Sequence, residues 1–242
     1  MGEERYALAF DDGGSSLGPI ALRLIRLGID VLYAKTLDEA WLLAKQEGPR
    51  IGALLFPPGV DTRGLARVSS CAHGARDGGG PSLIAVGESA DAATRARLRE
   101  AGVGWAVWEP GDDAALRFAV NAATLLPSEI LPRGEPRAAI SLLASFFVGE
   151  ERTDAVLYTL STHGAFLETP RPAPKDAEIA LELWLADELF ETRARVVYAN
   201  VPGEQRCMSW PVGMGVVFEE LDPEMREYVR HFVEERAECF AV

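Results

Sequence analysis

The chain has 242 residues, of which 48% are hydrophobic and 25% charged, a composition typical of a soluble globular protein with one large domain or two ordinary ones. Its net charge of −13 argues against a general nucleic-acid binder, which needs a basic face to replace phosphate counterions. No apolar run approaches the about 20 residues that span a bilayer, and the acidic start lacks the apolar core of a signal peptide. We therefore expect a cytoplasmic protein without membrane insertion.

Cysteines and histidines are few and dispersed. Neither the three cysteines nor the three histidines follow the spacing of metal ligands: Cys71, Cys207, Cys239, His73, His163 and His231. We expect no metal site, and we expect the cysteines to be inert thiols in a reducing compartment.

The first 125 residues alternate short apolar runs with helical patterns, which predicts a parallel sheet covered by helices on both faces. The predicted strands are Tyr6–Phe10, Val31–Ala34, Ile51–Phe56, Ser82–Val86 and Gly104–Trp108. The predicted helices are Leu17–Leu27, Asp38–Gln46 with Asp38 as N-cap, Ala92–Ala101 and Asp113–Leu125. A glycine- and serine-rich stretch, 60–80, interrupts the third unit.

After a proline-bounded segment, 126–132, the period of the apolar pattern changes to two. Six short strands are predicted, and they favour a small antiparallel barrel: 139–148, 154–160, 165–169, 178–185, 191–200 and 212–218. Asp222 and Pro223 then predict the start of a helix whose apolar stripe packs on the barrel. The predicted division is a first domain over 1–125, a linker over 126–136 and a second domain over 137–242.

Three short pieces of the second half carry the chemistry. Arg133 and Arg137 lie four positions apart, and planar guanidinium groups match phosphate oxygens and the O6/N7 edge of guanine. Some twenty residues later come the hydroxyls of Thr159 and Ser161 and then Gly164, where backbone can approach a ligand closely. Together these residues indicate a guanine-nucleotide receptor without catalytic apparatus.

These pieces, with the closing strand Gly213–Phe218, resemble the PilZ domain, the bacterial receptor for cyclic di-GMP, over about residues 132–240. The resemblance implies a six-stranded barrel with a C-terminal helix and a non-enzymatic, ligand-binding function. It also implies that Arg133 and Arg137 grip guanine and phosphate. Ser161 would donate to a phosphate or hold its loop, and Gly164 would permit close approach of the ligand.

The sequence departs from the family pattern at Thr159, where the family has Asp or Asn. A threonine hydroxyl offers one acceptor on a shorter reach, and losing a bond to a buried partner costs about 1–3 kcal/mol. Two functions therefore remain open. The chain is a cyclic di-GMP effector, or it is an interaction adaptor that has lost its ligand and works through protein contacts.

The first half resembles the receiver domain of response regulators, with Asp11 and Asp12 ending the first strand. Phe56–Pro58 lies where a receiver has its phosphoacceptor aspartate, Gly87 near its hydroxyl position, and Glu109 where it has lysine. We therefore expect a pseudo-receiver that is not phosphorylated, with Asp11 and Asp12 as solvated strand-end acids. A working phosphorelay receiver is the third and weakest hypothesis.

In the leading hypothesis, ligand binding orders the linker that carries Arg133 and Arg137 and thereby reorients the pseudo-receiver. The resemblance implies a bacterial process such as motility. A protein partner is expected through the pseudo-receiver or the barrel. Monomer or homodimer, and one ligand or a stacked pair, are left open.

Overall fold

The structure is a computed structural model that describes residues 5–14, 16–72, 80–124, 136–186, 188–203, 209–219 and 221–242. The chain divides into two units, one made of Met1–Pro132 with Cys239–Val242 and the other of Arg133–Glu238. The last four residues thus join the first unit, whereas the sequence placed them with the barrel.

The first unit is built on five parallel strands, and all five predicted strands are confirmed within a residue. They are β1 (Tyr6–Phe10), β2 (Val31–Ala34), β3 (Ile51–Phe56), β4 (Ser82–Gly87) and β5 (Trp105–Trp108). Their order across the sheet is β2-β1-β3-β4-β5, and each neighbouring pair is parallel. This is the flavodoxin-like order that receiver domains share, so the predicted receiver-like fold is confirmed.

Four helices connect these strands, α1 (Gly18–Arg26), α2 (Leu37–Glu47), α3 (Thr62–Cys71) and α4 (Ala92–Glu100), and a fifth, α5 (Asp113–Thr124), follows β5. A short 3-10 turn covers Gly48–Arg50. The prediction of Asp38 as an N-cap was wrong. Thr36 caps α2, because its side chain accepts from the backbone N–H of Glu39, and Asp38 lies in the first turn. Asp61 caps α3 and accepts from two backbone N–H groups.

Both faces of the sheet are covered, as predicted. One apolar core includes Ala44 from α2, Leu65 from α3 and Leu98 from α4. The other core includes Leu24 from α1 and Leu116 from α5. The sheet is therefore buried on both sides, which explains why its strands read as continuous apolar runs.

The second unit is a closed antiparallel barrel of six strands: β6 (Ala138–Val148), β7 (Glu151–Ser161), β8 (Gly164–Glu168), β9 (Glu178–Leu185), β10 (Glu188–Asn200) and β11 (Gly213–Phe218). Their order is β10-β11-β8-β7-β6-β9. The prediction of a six-stranded barrel is confirmed. Alternate residues of each strand fill the interior, as Ile179, Leu181, Leu183 and Leu185 do on β9.

The predicted C-terminal helix is also confirmed, as α6 (Pro223–Glu238). Its apolar stripe packs on the barrel, because Val229 and Val233 are buried in the barrel core. The hydroxyl of Tyr228 donates to the carbonyl oxygen of Leu185 at 3.0 Å. No helix within the described ranges is long and apolar enough to span a membrane.

The segment after α6 is built into the first unit. The backbone N–H of Ala106 on β5 donates to the carbonyl oxygen of Phe240 at 2.9 Å. The ring of Phe240 lies 5.5 Å from that of Phe118 on α5, measured between centroids. Residues from the end of the chain therefore complete the packing beside β5.

Candidate functional site

The start of β6 and the end of β7 bring three of the predicted site residues to one corner of the barrel. Ala139 pairs with Thr159 in the antiparallel register of these strands, and that register places Arg137 opposite Ser161. Because side chains alternate between faces, Arg137, Thr159 and Ser161 share one face. Arg133 lies outside the described residues.

This shared face is the outer face of the barrel. The neighbours in sequence, Ala138 and Leu160, belong to the barrel core, so the residues that alternate with them face outwards. Thr159 and Ser161 are nevertheless only 6% and 4% exposed. The corner therefore presents little hydroxyl surface to solvent, while Arg137 is half-buried.

Ser161 spans the tight turn between β7 and β8. Its hydroxyl donates to the carbonyl oxygen of Gly164 at 3.1 Å. The sequence left two roles open for this serine, a bond to phosphate or support of its loop. The hydrogen bond to Gly164 supports the turn, and the bond to phosphate stays a prediction. The hydroxyl oxygen keeps its capacity to accept a hydrogen bond.

Gly164 is required by the barrel itself. A Cβ at this position would lie 2.1 Å from the carbonyl oxygen of Val216, a distance that no side chain can adopt. The glycine therefore permits the close pairing of β8 with β11. Its predicted role in ligand approach stays a prediction.

Sequence reasoning missed an aromatic cluster on the same outer face. Thr159 pairs with Phe166 on β8, Phe166 pairs with Gly215 on β11, and Gly215 pairs with Tyr198 on β10. The centroid of the Phe166 ring lies about 6 Å from three other rings, at 5.9 Å from Tyr158, 6.1 Å from Tyr198 and 5.9 Å from Trp210. Thr159 therefore stands at the edge of a packed aromatic surface.

Two features fix this cluster. A Cβ on Gly215 would lie 2.3 Å from Cε1 of Tyr198, so the tyrosine ring lies across the glycine. The buried side chain of Asn200 donates to the carbonyl oxygens of Trp210, at 3.2 Å, and Pro211, at 2.9 Å. One feature of the sequence could have indicated this cluster, namely the two glycines at 213 and 215. Because glycine has no side chain, aromatic rings from neighbouring strands can lie over it.

In the first unit, Asp11 contradicts the expectation of a solvated strand-end acid. It is 6% exposed, and both its carboxylate oxygens accept hydrogen bonds, from the backbone N–H of Leu17 and the hydroxyl of Tyr33, each at 2.5 Å. The bond to Asp11, and secondarily burial, raises the pKa of Tyr33. Asp12 is exposed as expected and accepts from the backbone N–H of Gly14.

The loop after β3 packs closely against the end of β4. A Cβ on Gly87 would lie 2.8 Å from Cδ of Pro58. The guanidinium group of Arg97 donates to the carbonyl oxygens of Pro58 and Val60, both at 2.8 Å, and so braces the loop after β3. Within the described part of the chain, no group of three His, Cys, Asp or Glu residues could hold a metal ion.

A flavodoxin-type α/β unit and a closed antiparallel barrel with a C-terminal helix define a two-module protein. Residues 132–235 match the family model described as "PilZ domain", and this part of the chain is a PilZ domain. Comparison with curated proteins found no match.

Solved structures resemble each part of the chain. The inhibitor of motility MotI of Bacillus subtilis is 18% identical with a TM-score of 0.37, over 45% of this chain and 52%, about half, of that one. The PilZ domain of YcgR from Escherichia coli, solved with c-di-GMP, is 16% identical with a TM-score of 0.35, over 44% and 92%. A signal receiver domain of a modulated diguanylate cyclase from Desulfovibrio desulfuricans is 21% identical with a TM-score of 0.39, over 49% and 92%.

Proposed function

We propose that this protein is a non-enzymatic bacterial receptor for cyclic di-GMP. The ligand binds on the outer face of the barrel, at the corner formed by Arg137, Thr159 and Ser161, with Arg133 closing over it. The observation that carries the proposal is the β6–β7 register, which brings Arg137 beside the two hydroxyl residues on one face of a PilZ barrel.

The chemistry of this corner suits a nucleotide with phosphate and guanine groups. A guanidinium group forms charge-assisted, bidentate hydrogen bonds with phosphate oxygens or with guanine O6 and N7. Thr159 and Ser161 contribute hydroxyl oxygens that accept from guanine N–H groups. Recognition of this kind needs no proton transfer and no bond cleavage.

Local arginines matter because the surrounding charge is unfavourable to an anion. Residues 133–242 contain 11 Lys and Arg against 20 Asp and Glu. Long-range attraction is therefore absent, and capture depends on contacts formed within the corner. Loss of either arginine removes much of the positive charge that the ligand meets.

We further propose that the ligand acts as a switch of domain geometry. Arg133 begins the second unit, directly after Pro132, the last residue of the first unit before the barrel. Ordering of the segment between Arg133 and Arg137 by a bound ligand would restrict the connection between the units and so reorient the pseudo-receiver. A partner protein would then read that geometry, in a process such as motility.

Calorimetric titration with cyclic di-GMP tests binding. We expect saturable binding, with a stoichiometry that distinguishes one ligand from a stacked pair, and its loss in an Arg133→Ala/Arg137→Ala variant. The matched control is Arg226→Ala/Arg236→Ala, which removes two arginines from α6. No binding at tens of micromolar, or equal binding by the variant, contradicts the proposal.

Small-angle X-ray scattering tests the switch separately. We expect the scattering profile of the full chain to change when cyclic di-GMP saturates it, and the profile of the double arginine variant to stay unchanged. Binding without any change in the scattering profile would agree with the proposed receptor function and contradict the proposed change of domain geometry.

A second candidate function is an adaptor without a ligand. The observation that favours it is the low exposure of Thr159 and Ser161, together with use of the serine hydroxyl inside its own turn. An adaptor would bind its partner equally with and without cyclic di-GMP. Two results together would favour this function. The protein would not bind cyclic di-GMP, and substitutions on the surface of the pseudo-receiver would abolish binding of the partner.

A further inference from the structure

An apolar row, three of whose four residues are exposed, crosses four neighbouring strands on the outer face of the barrel. Leu143 on β6 pairs with Val156 on β7, and the β6–β9 register places Leu143 beside Trp184. Trp184 pairs in turn with Leu189 on β10. We call these four residues, Val156, Leu143, Trp184 and Leu189, the apolar row.

The row is an unusual feature of an outer barrel face, where polar residues normally alternate with the core. Leu143 is 78% exposed, Trp184 56% and Leu189 41%. Single exposed apolar residues need no explanation, but a contiguous row marks an interaction surface. Tryptophan is also enriched, with tyrosine and arginine, among the residues that dominate binding energy at interfaces.

The next row of the same face carries three carboxylates: Asp154 pairs with Arg152, whereas the other two face each other and repel. Glu182 on β9 pairs directly with Glu191 on β10. Like charges that face each other across two strands destabilise a sheet. Among the described residues, neither glutamate forms an ion pair within 4.0 Å.

This like-charged pair defines the chemistry of a partner. One lysine or arginine placed between the two carboxylates would relieve their repulsion and gain two charge-assisted hydrogen bonds. A second copy of this chain is disfavoured as the occupant, because each copy carries a net charge of −13. The face is therefore complementary to a partner whose apolar stripe is bordered on one side by lysine or arginine.

The length of the row suits a helix. Four strands at a spacing of about 4.8 Å place the outer two about 14 Å apart. A helix that lies along the row covers that distance in about ten residues, with apolar side chains at positions three and four apart. We propose that the apolar row and the glutamate pair form a docking surface for an amphipathic helix of a partner protein, with a lysine or arginine border facing Glu182 and Glu191.

A defined probe tests the surface without knowledge of the partner. The probe is a fluorescein-labelled, helix-forming peptide of leucine and lysine, with leucines in one stripe and lysines along one border. A scrambled peptide of the same composition is the control for non-specific attraction to an acidic protein. By fluorescence anisotropy we expect the striped peptide to bind at least about ten-fold more tightly than the scrambled one.

Variants of the protein locate the binding. Leu143→Ser/Trp184→Ser and Glu182→Lys/Glu191→Lys are each expected to remove the preference for the striped peptide. Val148→Ser/Val197→Ser changes two other exposed apolar residues, and Glu224→Lys/Glu238→Lys makes the same charge change on α6. Both controls are expected to keep the preference, and circular dichroism verifies that all variants fold.

Three results overturn the proposal. The first is equal binding of the striped and scrambled peptides, and the second is wild-type binding of the striped peptide by both surface variants. The third is a dimer in sedimentation equilibrium that Leu143→Ser/Trp184→Ser dissociates, because that result assigns the row to a second copy of the chain.

Discussion

The ring of Tyr198 lies across Gly215 on the outer face of the barrel, at a distance that excludes a side chain on the glycine. A Cβ at position 215 would meet Cε1 of the tyrosine at 2.3 Å. The same ring packs 6.1 Å from Phe166, the cross-strand neighbour of Thr159. The second glycine of the closing Gly-Met-Gly strand therefore has a structural role: it leaves room for an aromatic ring to pack beside the candidate ligand site.

Gly215→Ala is therefore expected to destabilise the barrel by about 1–3 kcal/mol, because the methyl group displaces the Tyr198 ring. Urea unfolding measures the change. In the double variant Gly215→Ala/Tyr198→Ala the cost of the alanine at 215 is expected to shrink, since the ring it displaces is gone. Additive costs in the double variant would show that the ring does not lie over the glycine.

Thr159→Asn is expected to strengthen cyclic di-GMP binding by roughly ten-fold, since an amide offers a longer reach and a stronger acceptor than a hydroxyl. Thr159→Val, which keeps the shape and removes the hydroxyl, is expected to weaken binding. Calorimetry compares both with wild type. If neither change alters affinity while the arginine variants do, Thr159 is not a ligand contact.

Tyr33→Phe is expected to destabilise the first unit by about 1 kcal/mol at neutral pH, because it removes the donor to the buried carboxylate of Asp11. The pKa of Tyr33 is raised above its usual 10.0 in the folded protein. The stabilisation is therefore fully present below pH 10 and lost as the pH rises through the folded pKa. The free energies of unfolding of the wild type and of Tyr33→Phe, measured against pH, are expected to converge above the folded pKa. A difference that stays constant with pH contradicts the hydrogen bond.

Acetyl phosphate with Mg²⁺ is expected to leave the protein unlabelled. The strand end that holds a phosphoacceptor in receivers carries Phe56 and two prolines here, and Pro58 packs against Gly87. Intact-mass spectrometry checks this, with a receiver of known activity as positive control. A phosphorylated aspartate would revive the phosphorelay hypothesis.

Phe240→Ala is expected to destabilise the first unit, although residue 240 follows the barrel in sequence. Half-buried against Phe118, the ring contributes about 1–2 kcal/mol, less than the about 3–5 kcal/mol of a fully buried phenylalanine. Hydrogen exchange at the amide of Ala106, which bonds to the Phe240 carbonyl, reports the loss. The exposed Ala241→Ser is the matched control, and equal protection in both variants would contradict the packing.

Much of the fold could be predicted from the sequence, because it depends on local periodicity. The five apolar strands of the first unit and the alternating strands of the second follow directly from burial on two faces or on one. The choice of Thr36 over Asp38 as N-cap could not be predicted. Both residues can cap, and the backbone conformation at position 36 decides between them.

What the sequence could not supply are relationships between distant residues. The buried carboxylate of Asp11 is satisfied by the hydroxyl of Tyr33, twenty-two residues away, and by the backbone N–H of Leu17. The aromatic cluster depends on the register of β8 with β11 and on a shift of register between Leu157 and Thr159. Register decides which side chains meet, and it depends on turn geometry and on pairing between distant strands, which local periodicity does not reveal.

The measurement that tests the central proposal most directly is a titration of the isotope-labelled protein with cyclic di-GMP, followed by amide chemical shifts. We predict that the signals of Arg137, Thr159 and Ser161 shift together and saturate. Signals of the apolar row, such as Leu143, are predicted to remain unchanged. Shifts confined to another face of the barrel, or no shift at saturating ligand, would contradict the proposed receptor site.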